Sequence, residues 1–145
     1  MTSLYSNYYP HEIMLGDQIA ELNGKLTGQR VLDVEGPTME ISVSMEGSFR
    51  GTEVKHHMTY LSKPVSPGVI HGKSKGVMMA GESEMVVSTG EGIGRISPSG
   101  IKWRGSAFYR TSSTGKLAFL NNLVGLFETD VDIEGNFTEK IWEWK

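Results

Sequence analysis

The chain has 145 residues, 38% hydrophobic and 21% charged, which suits one packed domain and is too apolar for wholesale disorder. A net charge of −3 and a pI near 5.8 lack the basic face that nucleic-acid binding normally requires. With no cysteine at all, disulfide scaffolds, thiolate zinc sites and cysteine nucleophiles are excluded.

The opening stretch, MTSLYSNYYPHEIML, has neither a basic n-region nor an apolar h-region. No run in the chain approaches about 18 apolar residues, so the expectation is a soluble cytoplasmic protein with no membrane partner. Residues 1–15, with Tyr5, Tyr8, Tyr9 and Pro10, read as an irregular segment on the surface or across one barrel mouth. From there the apolar period is 2. Ile19–Val34 reads as a strand weakened by Gly24 and Gly28, and Met39–Glu46 alternates apolar and polar over its whole length, as a half-buried strand does. Similar runs follow at Thr52–Leu61, Val69–Met79, Glu84–Ile96, Ile101–Ser112, Leu123–Ile133 and Phe137–Trp144. Short turns separate them, at Arg50-Gly51, Gly81-Glu82-Ser83, Ser97-Pro98-Ser99-Gly100 and Glu134-Gly135-Asn136. Such loops join neighbouring antiparallel strands. The prediction is therefore a single all-β domain spanning 1–145, an eight-stranded antiparallel up-and-down barrel. One short helix is expected near residues 115–121, capped by Ser113 or Thr114, with Leu117 and Leu120 on one face.

Turn lengths fix register, and register fixes which side chains face inward. A two-residue turn at Arg50-Gly51 pairs Phe49 with Thr52, Met45 with His56, Val43 with Met58 and Ile41 with Tyr60. It turns His56 inward and His57 outward, and it matches Glu46 with Lys55 on the outer face. A two-residue turn at Pro98-Ser99 pairs Gly94 with Trp103, Gly92 with Gly105, Gly90 with Ala107 and Ser88 with Tyr109. A three-residue turn at Gly81-Glu82-Ser83 sets Gly76 against Ser88, Ser74 against Gly90 and Gly72 against Gly92; a two-residue turn there would swap the faces of Val69–Met79. Leu123–Val131 turns Phe127 and Thr129 inward and Glu128, Asp130 and Asp132 outward. In the last strand Trp142 and Trp144 share a face. Pairing Val131 with Thr138 would set Trp142 opposite Phe127 and Trp144 opposite Gly125.

The inner wall then has a stripe of Gly72, Ser74, Gly76, Gly90, Gly92, Gly94, Gly105 and Ala107 across adjacent strands. Two readings are open: the glycines clear a cavity, or they permit strand coiling while an aromatic such as Trp103 covers Gly94. On the cavity reading the ligand-binding residues are His56, Tyr60, Met45, Met58, Ser74, Gly90, Gly92, Trp103 and Tyr109. His56 is the one titratable base in an apolar setting, hence the candidate catalytic group, or else a core histidine bonded to Ser74 or a carbonyl. Other signals fail. Gly90-Glu-Gly-Ile-Gly-Arg95 has the wrong spacing for a dinucleotide loop and lies inside a strand, and Ser113-Thr-Gly-Lys116 lacks the upstream glycine of a P-loop. The four histidines have no metal-ligand spacing, so neither metal nor cofactor is expected.

The runs Ile41–Tyr60, Gly72–Met79 and Glu84–Arg95 resemble the calycin-like, allene-oxide-cyclase-like small β-barrels. So does the block Gly105-Ser-Ala-Phe-Tyr-Arg-Thr-Ser-Ser-Thr-Gly-Lys-Leu-Ala-Phe-Leu-Asn-Asn-Leu-Val-Gly-Leu-Phe-Glu128. That block is also similar to one in uncharacterised archaeal and bacterial single-domain proteins. The resemblance implies a calycin-like barrel with a cavity, often a homodimer or homotrimer, that binds small apolar molecules or guides their cyclisation and isomerisation. It supplies no catalytic motif to align. The expected function is interior binding of a small, mostly apolar or aromatic molecule. The alternatives are a cyclase or isomerase using the same cavity, and a structural or assembly protein with a filled barrel.

Overall fold

Alternating side chains and short turns produce eight strands over residues 15–145, the part of the chain that the computed structural model describes. They are β1 (Leu15–Asp33), β2 (Thr38–Phe49), β3 (Thr52–Ser66), β4 (Val69–Ala80), β5 (Glu84–Ser97), β6 (Gly100–Arg110), β7 (Leu123–Asp132) and β8 (Asn136–Trp144). Each pairs antiparallel with the next, and β8 returns to β1, so the sheet closes as an up-and-down barrel with no free edge. The irregular segment expected over residues 1–15 lies outside the described residues, apart from Leu15, which opens β1. Among the described residues no helix is long and apolar enough to cross a membrane.

The hairpins carry the predicted registers. Arg50 and Gly51 both take positive φ, 46° and 82°, the backbone of a type I′ turn whose twist suits the flanking strands. Phe49 pairs with Thr52, Met45 with His56 and Ile41 with Tyr60. The three-residue turn after β4 sets Gly72 against Gly92 and Ser74 against Gly90, and the β5–β6 turn sets Gly94 against Trp103 and Gly92 against Gly105.

Two expectations are corrected. The segment near residues 115–121 is not an α-helix but a single 3-10 turn, Ala118–Leu120. Neither Ser113 nor Thr114 caps it: the N-cap position is Leu117, with no side-chain cap bond. The Glu84 carboxylate, arriving from β5, accepts the Leu117 N–H at 2.9 Å instead, and Ser113 Oγ accepts the Met85 N–H at 3.3 Å. A segment this short cannot nucleate a helix, so tertiary partners dictate its path. Leu117 and Leu120 do share a buried face and brace one end of the barrel.

The second correction is the register of β8. Val131 pairs with Phe137, not Thr138, so Phe127 faces Ile141 and Trp142 faces Leu126. The reason is the loop. Asp132 C=O accepts the Gly135 N–H at 3.1 Å, Asp132 Oδ1 accepts the N–H groups of Glu134 and Asn136 at 2.9 Å, and Gly135 takes φ +85°. That is a three-residue loop of Ile133, Glu134 and Gly135 with glycine in the left-handed position. Pairing therefore resumes one residue earlier than a Val131–Thr138 register requires, and every side chain of β8 changes face. Phe137, Glu139 and Ile141 point into the barrel and are buried, while Trp144 is 51% exposed.

The register predicts opposite costs at neighbouring positions. Ile141→Ala should destabilise by about 2–4 kcal/mol, and Trp144→Ala by less than about 1 kcal/mol, in urea unfolding. The reverse order would require the slipped register.

Candidate functional site

The interior of a small barrel has little room, and glycine decides where rings can lie. A Cβ on Gly72 would stand 2.8 Å from Trp103 Cζ3, and one on Gly94 2.9 Å from Trp103 Cδ2. The indole thus lies across both glycines. Phe127 does the same over Gly92, where a Cβ would meet its Cζ at 3.0 Å, and over Gly105. The His56 ring tip occupies the space that a side chain at Gly76 would need, and Ser74 Oγ stands 2.7 Å from a Cβ on Gly90. The small-residue stripe is therefore largely roofed by Trp103, Phe127 and His56. What remains open is a cavity of about 50 Å³, room for about three to five water-sized groups.

His56, Met58, Tyr60, Ser74, Gly92, Trp103 and Tyr109, all read from the sequence as site residues, line this cavity together. Met45 and Gly90 do not. Met45 is fully buried and folds over Gly24, its pairing partner on β1, and Gly90 yields its space to Ser74. Ser88 from β5 and Phe127 and Thr129 from β7, which the sequence turned inward without naming them as site residues, join the wall, and Phe137, Glu139 and Ile141 from β8, not foreseen, complete it. Of these, Glu139 changes the chemistry most. The signal that could have found it was the three-residue loop closed by Gly135, which turns Glu139 inward.

The lining is mostly apolar but carries several polar groups. Thr129 Oγ1 donates to Glu139 Oε2 at 2.5 Å, with both residues buried. Burial pushes the Glu139 carboxyl up to about 7, so near neutral pH it is partly a neutral acid. Burial, then the charge of neighbouring His57, pushes His56 down to about 4, so its imidazole is neutral. Neither His56 Nδ1 nor Nε2 has a hydrogen-bond partner among the described residues, nor does Trp103 Nε1. The core-histidine reading required such a partner, in Ser74 or a carbonyl, and the structure provides none. Burial also holds both phenols protonated, Tyr60 up to about 12 and Tyr109 higher still beside Glu139. Tyr60 packs edge-on against Trp103, with centroids 5.4 Å apart. Among the described residues no lysine or arginine lines the cavity. Among the described residues no group of three or more His, Cys, Asp or Glu side chains could hold a metal ion.

No protein-family model matches the chain, and no curated protein matches it. Solved structures do. A protein with unknown function from Clostridium acetobutylicum is 12% identical, with a TM-score of 0.73 over 89% of this chain and 98% of its own. A conserved protein of unknown function from Rhodopseudomonas palustris is 10% identical, with a TM-score of 0.72 over 89% of this chain and 97% of its own. A β-barrel-like protein from Acinetobacter baumannii is 14% identical, with a TM-score of 0.70 over 90% of this chain and 95% of its own. At such identities the likeness is one of fold: this chain is a small β-barrel like those three.

Two stability predictions follow from the geometry. Raised in the folded state, Glu139 favours folding below its ordinary pKa of 4.5, and that contribution is lost as pH rises through about 7. Lowered in the folded state, His56 favours folding above its ordinary 6.5, and that contribution is lost as pH falls through about 4. Each is worth about 3 kcal/mol, and between pH 4.5 and 6.5 they oppose one another. Glu139→Gln should therefore leave stability rising with pH across this window, and His56→Gln should leave it falling, in denaturant titrations at each pH. Separately, a methyl group at Gly92 would stand 2.8 Å from the Arg104 carbonyl oxygen. Gly92→Ala should cost about 1–3 kcal/mol by overpacking, measured by thermal unfolding.

Proposed function

We propose that this barrel binds a compact, uncharged small molecule in its interior, in the manner of the cavity-bearing calycin-like barrels. The observation that carries the reading is the buried His56 imidazole, whose Nδ1 and Nε2 both lack protein partners among the described residues, on a ring that lines the cavity beside the Trp103 indole. Buried polar groups left unpaired cost about 1–3 kcal/mol each. A ligand that hydrogen-bonds to them recovers that cost, so the site favours a molecule with at least one donor or acceptor. The faces of Trp103 and Phe127, with Met58 and Ile141, suit its apolar body. Without lysine or arginine in the wall, an anion would enter without a counter-charge. The volume favours roughly three to five heavy atoms, smaller than the drug-sized ligands of wide-mouthed barrels.

Pyrazole tests this reading, being flat, uncharged and aromatic, with one donor and one acceptor. Titrated into 15N-labelled protein, it should shift the Trp103 indole N–H resonance saturably, leaving those of Trp142 and Trp144 in place. His56→Phe should weaken the binding at least tenfold. An unmoved Trp103 resonance at all pyrazole concentrations, with the native fold intact, would leave a filled structural barrel as the better description.

A further inference from the structure

Within the cavity, His56 and Glu139 are placed as opposites. His56 lies on β3 and Glu139 on β8, three strand steps apart in a barrel where four is the maximum. Thr129, on β7, stands diametrically across from β3 and holds the Glu139 carboxyl by its Oε2. One wall thus offers an imidazole with both nitrogens unpartnered among the described residues. The other offers a carboxyl that Thr129 fixes at one oxygen, with the Tyr109 phenol lining the same cavity. Both groups line one cavity, which is what a single small molecule would need in order to meet them together.

We infer that the cavity is a proton-transfer site for a compact enolisable carbonyl compound, with His56 as the base and the Glu139 carboxyl as the donor to the carbonyl oxygen. The inference rests on the binding reading above and adds a reaction to it. The unprotonated ring nitrogen of His56 takes the proton α to the carbonyl. The C–H electron pair becomes the C=C bond, the C=O π pair moves onto oxygen, and that oxygen takes the Glu139 proton. Returning a proton from the imidazolium to the same carbon, or to one conjugated with it, while the enol O–H gives its proton back to the Glu139 carboxylate and the C=O bond re-forms, regenerates both groups and releases the starting compound or its isomer. Nothing is oxidised or reduced, and no co-reactant is needed. The protonation states match the roles, since burial keeps His56 neutral and keeps Glu139 partly protonated near neutral pH. The same division of labour, a weak base facing an oxyanion site made of a phenol and a neutral carboxylic acid, enolises ketones elsewhere. Thr129 is a positioning residue here: it aims the carboxyl and does not touch the substrate.

Few other ionisable groups intrude on the pair. Tyr60 on β3 and Tyr109 on β6 share the cavity and stay protonated across the working range. His57 points outward from the same strand as His56 and is exposed. Glu91 contributes to the cavity wall, but its side chain is 57% exposed and bonded to His71 on the outer surface.

Acetone, with four heavy atoms, is the test substrate, and incorporation of deuterium from D2O into its methyl groups, followed by 1H NMR, is the readout. The protein should accelerate exchange saturably over buffer, with a rate that rises with pH through about 4 and falls through about 7. His56→Gln and Glu139→Gln should each lower it at least tenfold while acetone still shifts the Trp103 indole resonance. Thr129→Val should lower the rate and move the alkaline limb to higher pH, because the lost hydrogen bond had favoured the carboxylate, and Thr129→Ser should restore both. If acetone or pyrazole moves the indole resonance but exchange runs at the buffer rate, the catalytic pair is refuted and the binding reading survives. If neither molecule moves it, both fall. Should the glutamine variants fail to fold, the wild-type profile still decides, because a rate that keeps climbing above pH 7 excludes Glu139 as the donor.

Discussion

Everything inside this protein follows from the narrowness of a closed eight-stranded barrel. Closure removes the unpaired edge strands that a sheet of this size would otherwise expose, and it limits the interior to what a few side chains can fill. Several rings enter where the facing residue has no side chain. Trp103 lies over Gly72 and Gly94, Phe127 over Gly92 and Gly105, and His56 against Gly76. Glycine within a strand weakens it. Here that loss is offset by burying three large rings that could not otherwise fit, and the cavity is the remainder left between them.

The same confinement sets the chemistry. Water cannot solvate a charge in this space, so each ionisable group inside is driven toward its neutral form: His56 down, Glu139 up, both tyrosines up. A carboxylic acid and an imidazole that would carry opposite charges on the surface become a neutral donor and a neutral acceptor. The Thr129 hydroxyl opposes that trend at Glu139, since its hydrogen bond favours the carboxylate. Glu139 is consequently held near neutrality and is not locked in one state.

Much of the fold was legible from turns alone. Arg50-Gly51 and Pro98-Ser99 are two-residue loops with an unambiguous register, and Gly81-Glu82-Ser83 closes with glycine at φ +61°. From those three hairpins the inward placement of His56, Tyr60, Ser74, Gly92, Trp103 and Tyr109 followed. The failure on β8 had a local cause: Glu134-Gly135-Asn136 reads as a turn by composition, but Asp132 closes the loop one residue earlier through its own carboxylate. Two tryptophans in one strand also look like core. In fact Trp142 and Trp144 lie along the outer wall, and the inner face is Phe137, Glu139 and Ile141. A one-residue slip thus hid the most unusual ionisable group in the molecule. Residues 113–122 failed for a different reason, because their path is set by Glu84 and by the burial of Leu117 and Leu120, contacts that no local pattern encodes.

Protonation also couples the interior to what it can hold. Near pH 5 to 6 the buried pair is uncharged, with His56 neutral and Glu139 a neutral acid, so an uncharged guest meets only dipoles from these two groups. Once Glu139 ionises above about pH 7, it meets hydroxyls such as that of Thr129, since among the described residues no lysine or arginine lines the wall. An anionic guest is then repelled by the carboxylate, and a cationic one finds a single charge to pair with. Under the proposed binding role, selection would fall first to charge and then to size: the charge filter would belong to Glu139, and the size limit to the rings that the glycines admit.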